Sequence, residues 1–424
     1  MKKILENFGV GLPVFLLICL GGIEPIHKQE LSPIVCRMGK WSLPSYGISS
    51  LAKTSPILIP RTPITCCQQD ASCLDEMIYQ RDGATPTFGD RKALFTAVEY
   101  SRRYLQSKQA VSVYHNYPIV GITRDRVDAS LQRFQQLLQS TNSATELQSA
   151  IAKEFVFYQS VGEDAQGKVL FTAYYEPLYL ASRTPTQEFR YPVYRLPPNL
   201  SAWSLPHPTR RELEGVDGLQ GEKGKLSGLE IFWFRDRLEP YLIQIEGSAR
   251  LQLNDGSQTS IGYAGNTAYT YNSVGHELIK DGKLPAKGVT MPIILDYFHK
   301  HPQELNIYIP RDRSFVFFQE NHGSPAMGSL GQPLTAERSI ATDKSLMPPG
   351  ALAFIRAAFP YVDQTHKIAY QTVSRYVLDQ DTGGAIKGPG RVDYFLGTGK
   401  IAGDRAGLTV SNGQLFYLLL KPKK

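Results

Sequence analysis

Asp381, Asp393 and Asp404 stand 12 and 11 residues apart in "QDTGGAIKGPGRVDYFLGTGKIAGDRAG". Asp-Thr-Gly carries the catalytic carboxylate of pepsin-like proteases, but such a site needs two aspartates sharing one proton, supplied by two such loops. The chain has one such tripeptide, and Asp379 and Gln380 stand where a buried apolar strand would precede it. The protease reading fails. Asp381 before two glycines also suits a turn corner, and Asp404 beside Arg405 suits a local ion pair. Asp393 differs, because "RVDYF" is an extended aromatic stretch and strands disfavour aspartate. A carboxyl partly removed from water beside Tyr394 and Phe395 should titrate high, as a general acid requires.

Other chemistries drop away. All five cysteines (19, 36, 66, 67 and 73) precede residue 74, so the rest of the chain has no thiol nucleophile and no thiolate metal site. His299 and His301 lack the spacing of a zinc helix, and no serine-hydrolase elbow, phosphate loop or dinucleotide fingerprint occurs. Neither a metal nor a cofactor is expected. The net charge of +7 suits a polyanionic partner. Without arginine-rich tracts or RNA-type aromatic motifs, nucleic acid is not expected to be that partner.

The elements that must position these carboxylates change character along the chain. Residues 1–23 combine a short basic start with an uncharged run from Phe8 to Ile23 that contains Pro13. That run reads as a signal peptide or N-terminal anchor, implying export. Cys19 invites lipidation, although Ile18 stands where a lipobox wants a small residue. Residues 24–75 read as a linker, with Cys36, Cys66, Cys67 and Cys73 available for a disulfide. Helical stripes follow at Leu94, Val98 and Leu105, with Asp90 as cap, and at Val127, Leu131, Phe134 and Leu138. Ser143 and Glu146 have capping-box spacing.

From residue 168 the apolar period becomes two. "VLFTAYYEP" alternates Phe171, Ala173 and Tyr175 against Thr172 and Tyr174, which therefore share the opposite face. Residues 241–253 read as strand with a bulge at Gly247, and 305–318 as two strands around a charged turn. Residues 290–301 read as a helix capped by Thr290, and 369–378 and 413–420 as strands. With 36 glycines and 28 prolines, the chain favours turns and short strands. The expectation is a helical N-terminal part joined to one or two β-barrel-like domains.

The three-aspartate segment closely resembles the "3D" domain of the membrane-bound lytic murein transglycosylase A family. "FTAYYEP", "YPVYRLPP", "IEGSARLQLNDG", "IGYAGNTAYTYNSVG", "FVFFQE" and "GSLGQPLTAERSIATDKSLMPPG" follow in that family's order, so the resemblance spans residues 165–424. It implies a mainly β fold, a double-psi barrel with N-terminal helices and a second, smaller β-barrel inserted into it. The barrel would be built from 76–178 and 321–424 and the insert from 179–320, with a groove between them for a peptidoglycan glycan strand. It implies cleavage of the MurNAc–GlcNAc β-1,4 bond without water, giving 1,6-anhydroMurNAc ends.

By the same resemblance the catalytic acid/base is Asp393. Asp381, Asp404, Thr172, Tyr174, Glu176, Gly383, Gly384 and Lys387 would shape the site and bind sugar. Tyr175 matches the same motif but equally suits the core. Arg338 and Asp343 suit pairing within the barrel better than ligand contact. Ala173 and Ala249 replace expected glycines, and Pro349 an expected leucine. A periplasmic monomer is expected, with cell-wall synthases or amidases as conceivable associates. The rival reading is an expansin-like module that binds peptidoglycan without cutting it.

Overall fold

The helices expected before residue 160 form, and they pack on a barrel whose strands come from distant parts of the chain. A computed structural model describes residues 57–61, 73–79, 91–362 and 367–422. Strand β1 (Leu58–Arg61) is followed by α1 (Arg91–Leu105), α2 (Lys108–His115), α3 (Arg124–Ser140) and α4 (Ala144–Glu154). Leu94, Val98, Leu105, Val127, Leu131, Phe134 and Leu138 are all buried in the main core, as their spacing dictates. The Ser143 hydroxyl caps α4 by accepting from the Glu146 amide, but the Glu146 carboxylate turns to the Asn142 amide instead, so only half of the capping box forms. Asp90 lies outside the described residues.

Next come β2 (Phe155–Ser160) and β3 (Val169–Glu176). The chain then leaves for an insert made of β4 (Leu178–Ala181), β5 (Tyr191–Tyr194), α5 (Arg210–Glu214), β6 (Glu230–Phe234), α6 (Leu238–Glu246), β7 (Ser248–Leu253) and β8 (Gln258–Asn266). It continues through α7 (Val274–Lys280), α8 (Met291–Lys300), α9 (Leu305–Tyr308) and β9 (Val316–Glu320). It returns with β10 (Ser339–Ala341), β11 (Leu352–Val362), β12 (Ile368–Asp381), β13 (Arg391–Thr398), α10 (Lys400–Leu408) and β14 (Ser411–Leu420).

Strands β3, β14, β11, β12, β10 and β13 close into a ring, because β3 pairs with both β13 and β14. The β13–β3 and β10–β12 pairs are parallel and the other four antiparallel. Phe171, Ala173 and Tyr175 of β3 and Val392, Tyr394 and Leu396 of β13 feed the main core with helices α1, α3 and α4. Each large apolar side chain so buried contributes about 1.5–3 kcal/mol. The opposite faces of β3 and β13 carry Thr172, Tyr174, Asp393 and Phe395.

The insert is a smaller ring. Strands β4, β7, β8 and β9 form one sheet, β5 and β6 a ribbon, and single bridges (Ser182 with Trp233, Arg195 with Phe318) join the two. Tyr179, Val193, Phe232, Leu251, Ile261 and Phe318 fill it. Ala249 is buried in this cluster and Ala173 in the main core, and the Pro349 carbonyl accepts from the Tyr114 hydroxyl at 2.7 Å.

Three expectations need correction. Residues 238–246 are helix, not strand: Leu238, Tyr241 and Leu242 enter one core while Ile243 enters another, so the helix is apolar on two sides and its period is hidden. Gly247, read as a bulge, is the left-handed C-cap of α6 at φ 77°, and its amide bonds to the Ile243 carbonyl. Residues 305–311 are short helices: Leu305, Tyr308 and Ile309 are buried at helical spacing while Ile307 faces solvent.

The third correction concerns the stretch read as a linker, part of which is folded onto the barrel. β1 pairs with β2, and Asp75 is buried against Arg338 and the Tyr376 amide. The expected disulfide is present at Cys73; Cys36, Cys66 and Cys67 lie outside the described residues, as do Cys19 and residues 1–23. Thr290 takes the N-cap position of α8 without a side-chain cap bond. Among the described residues no helix is long and apolar enough to cross a membrane.

Candidate active site

Strand pairing gathers two of the three aspartates. Ala341, at the end of β10, faces Asp393 of β13 on one side and Asp381 of β12 on the other. Directly opposed residues share a face, so both carboxyls lie on the side of the sheet away from the main core. Thr172 of β3 faces Asp393 from the next strand, and its hydroxyl donates to Asp393 Oδ1 at 2.6 Å.

Asp393 is only 3% exposed. Burial pushes its carboxyl up to about 6, against Arg391 and the Thr172 hydroxyl, which favour the charged form; the Asp381 charge adds to the rise. Asp381 is raised by burial too, although three donors favour its carboxylate. These are the Tyr174 hydroxyl to Oδ2 at 2.7 Å, and the Ser329 and Thr382 amides to Oδ1, both at 2.8 Å. Tyr174 stays protonated, because burial and the Asp381 charge hold its hydroxyl well above the ordinary tyrosine range. Its ring packs on Phe395 at 5.2 Å between centroids.

Asp404 is placed elsewhere. It lies on α10, and its carboxylate accepts from Lys400 one turn earlier at 2.7 Å. Glu176, at the end of β3, is buried and accepts from Thr398 Oγ1 at 2.7 Å and from Arg250 Nε at 2.8 Å. Arg250 belongs to β7, so this carboxylate ties the barrel to the insert. Tyr175 points into the main core.

A cleft of about 630 Å³, its open mouth included, separates the insert from the Asp-Thr-Gly-Gly loop. Arg210, Asn266, Tyr269 and Tyr271 line it from the insert, and Gly383, Gly384 and Ala385 from the barrel. A Cβ on Gly384 would stand 3.9 Å from the Tyr271 Cβ, an ordinary contact, so the space there is open rather than tight. Lys387 is exposed on the same loop and acts electrostatically on Asp343, which accepts from Ser345 and the Gly388 amide. Arg338 pairs with Asp75, both fully buried, inside the barrel.

Several residues around the site carry no sequence signal of their own. Asp379 is fully buried and bonded to Thr342, Tyr417 and Lys344. Lys344 also reaches the Asp381 carbonyl. Arg210, at the start of α5, is buried against Gln244, Ser314 and Asp312 and supports the cleft wall. A Thr209–Glu212 capping box, spelled by "TRRE", starts α5. Among the described residues, no three or more His, Cys, Asp or Glu side chains converge to hold a metal ion.

Comparison with known proteins places the class first: residues 170–319 match the MltA specific insert domain, and residues 338–419 match the 3D domain. Membrane-bound lytic murein transglycosylase A of Escherichia coli K12 is 32% identical over 268 residues, covering 62% of this chain and 69% of that protein. The Vibrio cholerae protein of the same name is 31% identical, covering 67% and 73%. Two crystal structures superpose well. One is a membrane-bound lytic murein transglycosylase from Agrobacterium tumefaciens (TM-score 0.62, 27% identity, 78% of this chain and 92% of that one). The other is E. coli MltA with bound chitohexaose (TM-score 0.60, 26% identity, 81% and 93%). The chain belongs to the membrane-bound lytic murein transglycosylase A family.

Proposed function

We propose that Asp393 is the single acid/base of a lytic transglycosylase that cuts the MurNAc–GlcNAc β-1,4 bond of peptidoglycan and leaves 1,6-anhydroMurNAc ends. Family membership carries the coarser statement, that the chain is an enzyme of the lytic murein transglycosylase kind. The observation supporting the finer one is Asp393 itself, a buried carboxyl held near 6 with a donor on one oxygen. Thr172 occupies Oδ1, which leaves Oδ2 to carry the working proton.

Hydrolytic glycosidases use two carboxyls, one of them for a nucleophile or a water. Asp381 is poorly suited to that second role, since both its oxygens already accept hydrogen bonds. An intramolecular nucleophile removes the need. Protonated Asp393 gives its proton to the glycosidic oxygen as the bond to C1 breaks. The MurNAc 6-hydroxyl oxygen then bonds to C1, and its proton passes to the Asp393 carboxylate, restoring the acid. Because that hydroxyl is tethered to the reacting carbon, effective molarity replaces a second catalytic group.

In this reading Thr172, Tyr174, Asp381 and Glu176 frame the reacting sugar, and Gly383 and Gly384 leave room for the glycan. Lys387 meets an anionic substituent, and Asp404 contacts sugar further along. The division into a barrel from 76–178 with 321–424 and an insert from 179–320 belongs to the same proposal. So does export to the cell envelope, which rests on residues 1–23.

Mass analysis of products released from purified sacculi tests the function. Muropeptides lighter by one water than those lysozyme releases are expected, and ordinary reducing ends would overturn it. Binding to sacculi with no release would favour the wall-binding module. Asp393→Asn should abolish release and keep binding.

A further inference from the structure

β12 carries one residue too many where it passes β10. Ile340 faces Asp379 and Ala341 faces Asp381, so Gln380 has no partner in that ladder. In an unbroken register Ala341 would face Gln380, and Asp381 would turn to the core side of the sheet. The extra residue therefore brings Asp381 onto the face of Asp393. It also explains how Asp379 and Asp381, two residues apart on one strand, serve opposite faces. Asp379 lies level with core residue Ile340, and Asp381 lies beside the candidate acid.

A bulge needs an anchor, and Gln380 has three. Its side chain is fully buried. Nε2 donates to the Ala97 carbonyl at 2.8 Å and to Ser101 Oγ at 3.1 Å, both on α1, and Oε1 accepts from Ser339 Oγ at 2.6 Å. Its backbone carbonyl presses on Gly328, where an added Cβ would come within 2.5 Å. The next residue, Ser329, donates its amide to Asp381. One glutamine thus links an N-terminal helix, the bulge and the loop that holds Asp381.

We propose that Gln380 is a positioning residue: by pinning the bulge to α1 it holds Asp381 beside Asp393 and fixes the geometry in which Asp393 works. This rests on the reading of Asp393 given above. The charged groups acting on Asp393 are Arg391 on its own strand and Asp381 from β12, and the Asp393 charge in turn acts on the protonated Tyr174 of β3. Behind them Lys344 acts on Asp381, and Glu246 of the insert acts on Tyr174. Of these, only Asp381 is placed by the bulge.

Gln380→Met keeps the length and packing of the side chain and removes its three hydrogen bonds. Gln380→Glu keeps the acceptor for Ser339 and sets an oxygen against the Ala97 carbonyl. Release of muropeptides from sacculi by the full chain would be measured across pH, with the thermal midpoint of each variant. For both, kcat should fall about tenfold or more, with a smaller change in KM. The alkaline limb should move to lower pH, since the Asp381 charge no longer disfavours ionisation of Asp393.

A folded Gln380→Met with wild-type kcat and pH limb overturns the proposal. Should both variants fail to fold, Ser101→Ala removes one α1 contact and leaves the other. It should lower kcat about twofold with the limb moving the same way, and an unchanged kcat and limb overturn the proposal. Asp393→Asn, run in parallel, separates the two readings. If it stays active, Asp393 is not the acid and the positioning role falls with it. If it is inert while the Gln380 variants behave as wild type, only the positioning role falls.

Discussion

Asp381 and Asp393 stand on either side of Ala341, each its register partner from a different neighbouring strand. Burial, with the Asp381 charge adding to it, raises Asp393 from an ordinary 3.8 to about 6. The native state therefore holds a proton that the unfolded chain has lost between those values. Its contribution to stability falls as pH rises through that window and is level below and above it.

Asp393→Asn removes this burden. It should match the wild type at pH 4 and exceed it at pH 8 by up to about 3 kcal/mol, while losing muropeptide release. Urea unfolding at the two pH values measures it. No gain at pH 8 would mean that Asp393 is not carried as a destabilised acid.

Thr172→Val deletes the donor on Asp393 Oδ1 at nearly constant volume. The bond favours the charged form, so its loss should raise Asp393 further and move the alkaline limb of activity to higher pH. The carboxylate formed during turnover loses about 1.5–3 kcal/mol of support, so kcat should drop about tenfold or more. Thr172→Ser should restore both. A pH–rate profile with an unmoved limb would show that the contact has no bearing on the acid.

The clasp between the two bodies centres on Glu176, whose side chain is 1% exposed while that of Arg250 is 35% exposed. Arg250→Ala leaves a buried carboxylate with Thr398 alone, and should cost about 1–3 kcal/mol in denaturant unfolding, reduced by the solvent reaching the arginine. Adding Glu176→Gln should recover part of that loss, because the cost lies in the orphaned charge. A double variant no better than Arg250→Ala counts against this account.

Asp404 gives the opposite test. Its pair with Lys400 is exposed and one helical turn long, so Asp404→Asn should change stability by less than about 0.5 kcal/mol. If Asp404 touches sugar, KM for sacculi should rise with kcat unchanged. A wild-type KM would return Asp404 to the local ion pair that its neighbourhood also suits.

What the sequence revealed depended on whether a residue's neighbours were local. Asp393 stood out because an aspartate in an aromatic strand breaks a propensity rule within five residues. Thr172 and Tyr174 could be assigned to one face by alternation alone, and Tyr174 does reach Asp381. Gln380 and Lys344 gave no such sign, since what they hold comes from pairing with α1 and from the turn after β10. Helix α6 resembles a strand in sequence because it is sandwiched between two cores and shows no polar stripe. Arg338 was expected to pair inside the barrel, yet nothing local named Asp75, which lies 263 residues earlier.

The ring closes only where β3 meets β13 and β14, and Thr172 and Asp393 are 221 residues apart in the chain. A chain emerging N-terminus first completes the whole insert before the strand bearing the candidate acid exists. The order of emergence thus places the candidate acid last: a chain stalled before β13 can carry the cleft's insert wall without Asp393.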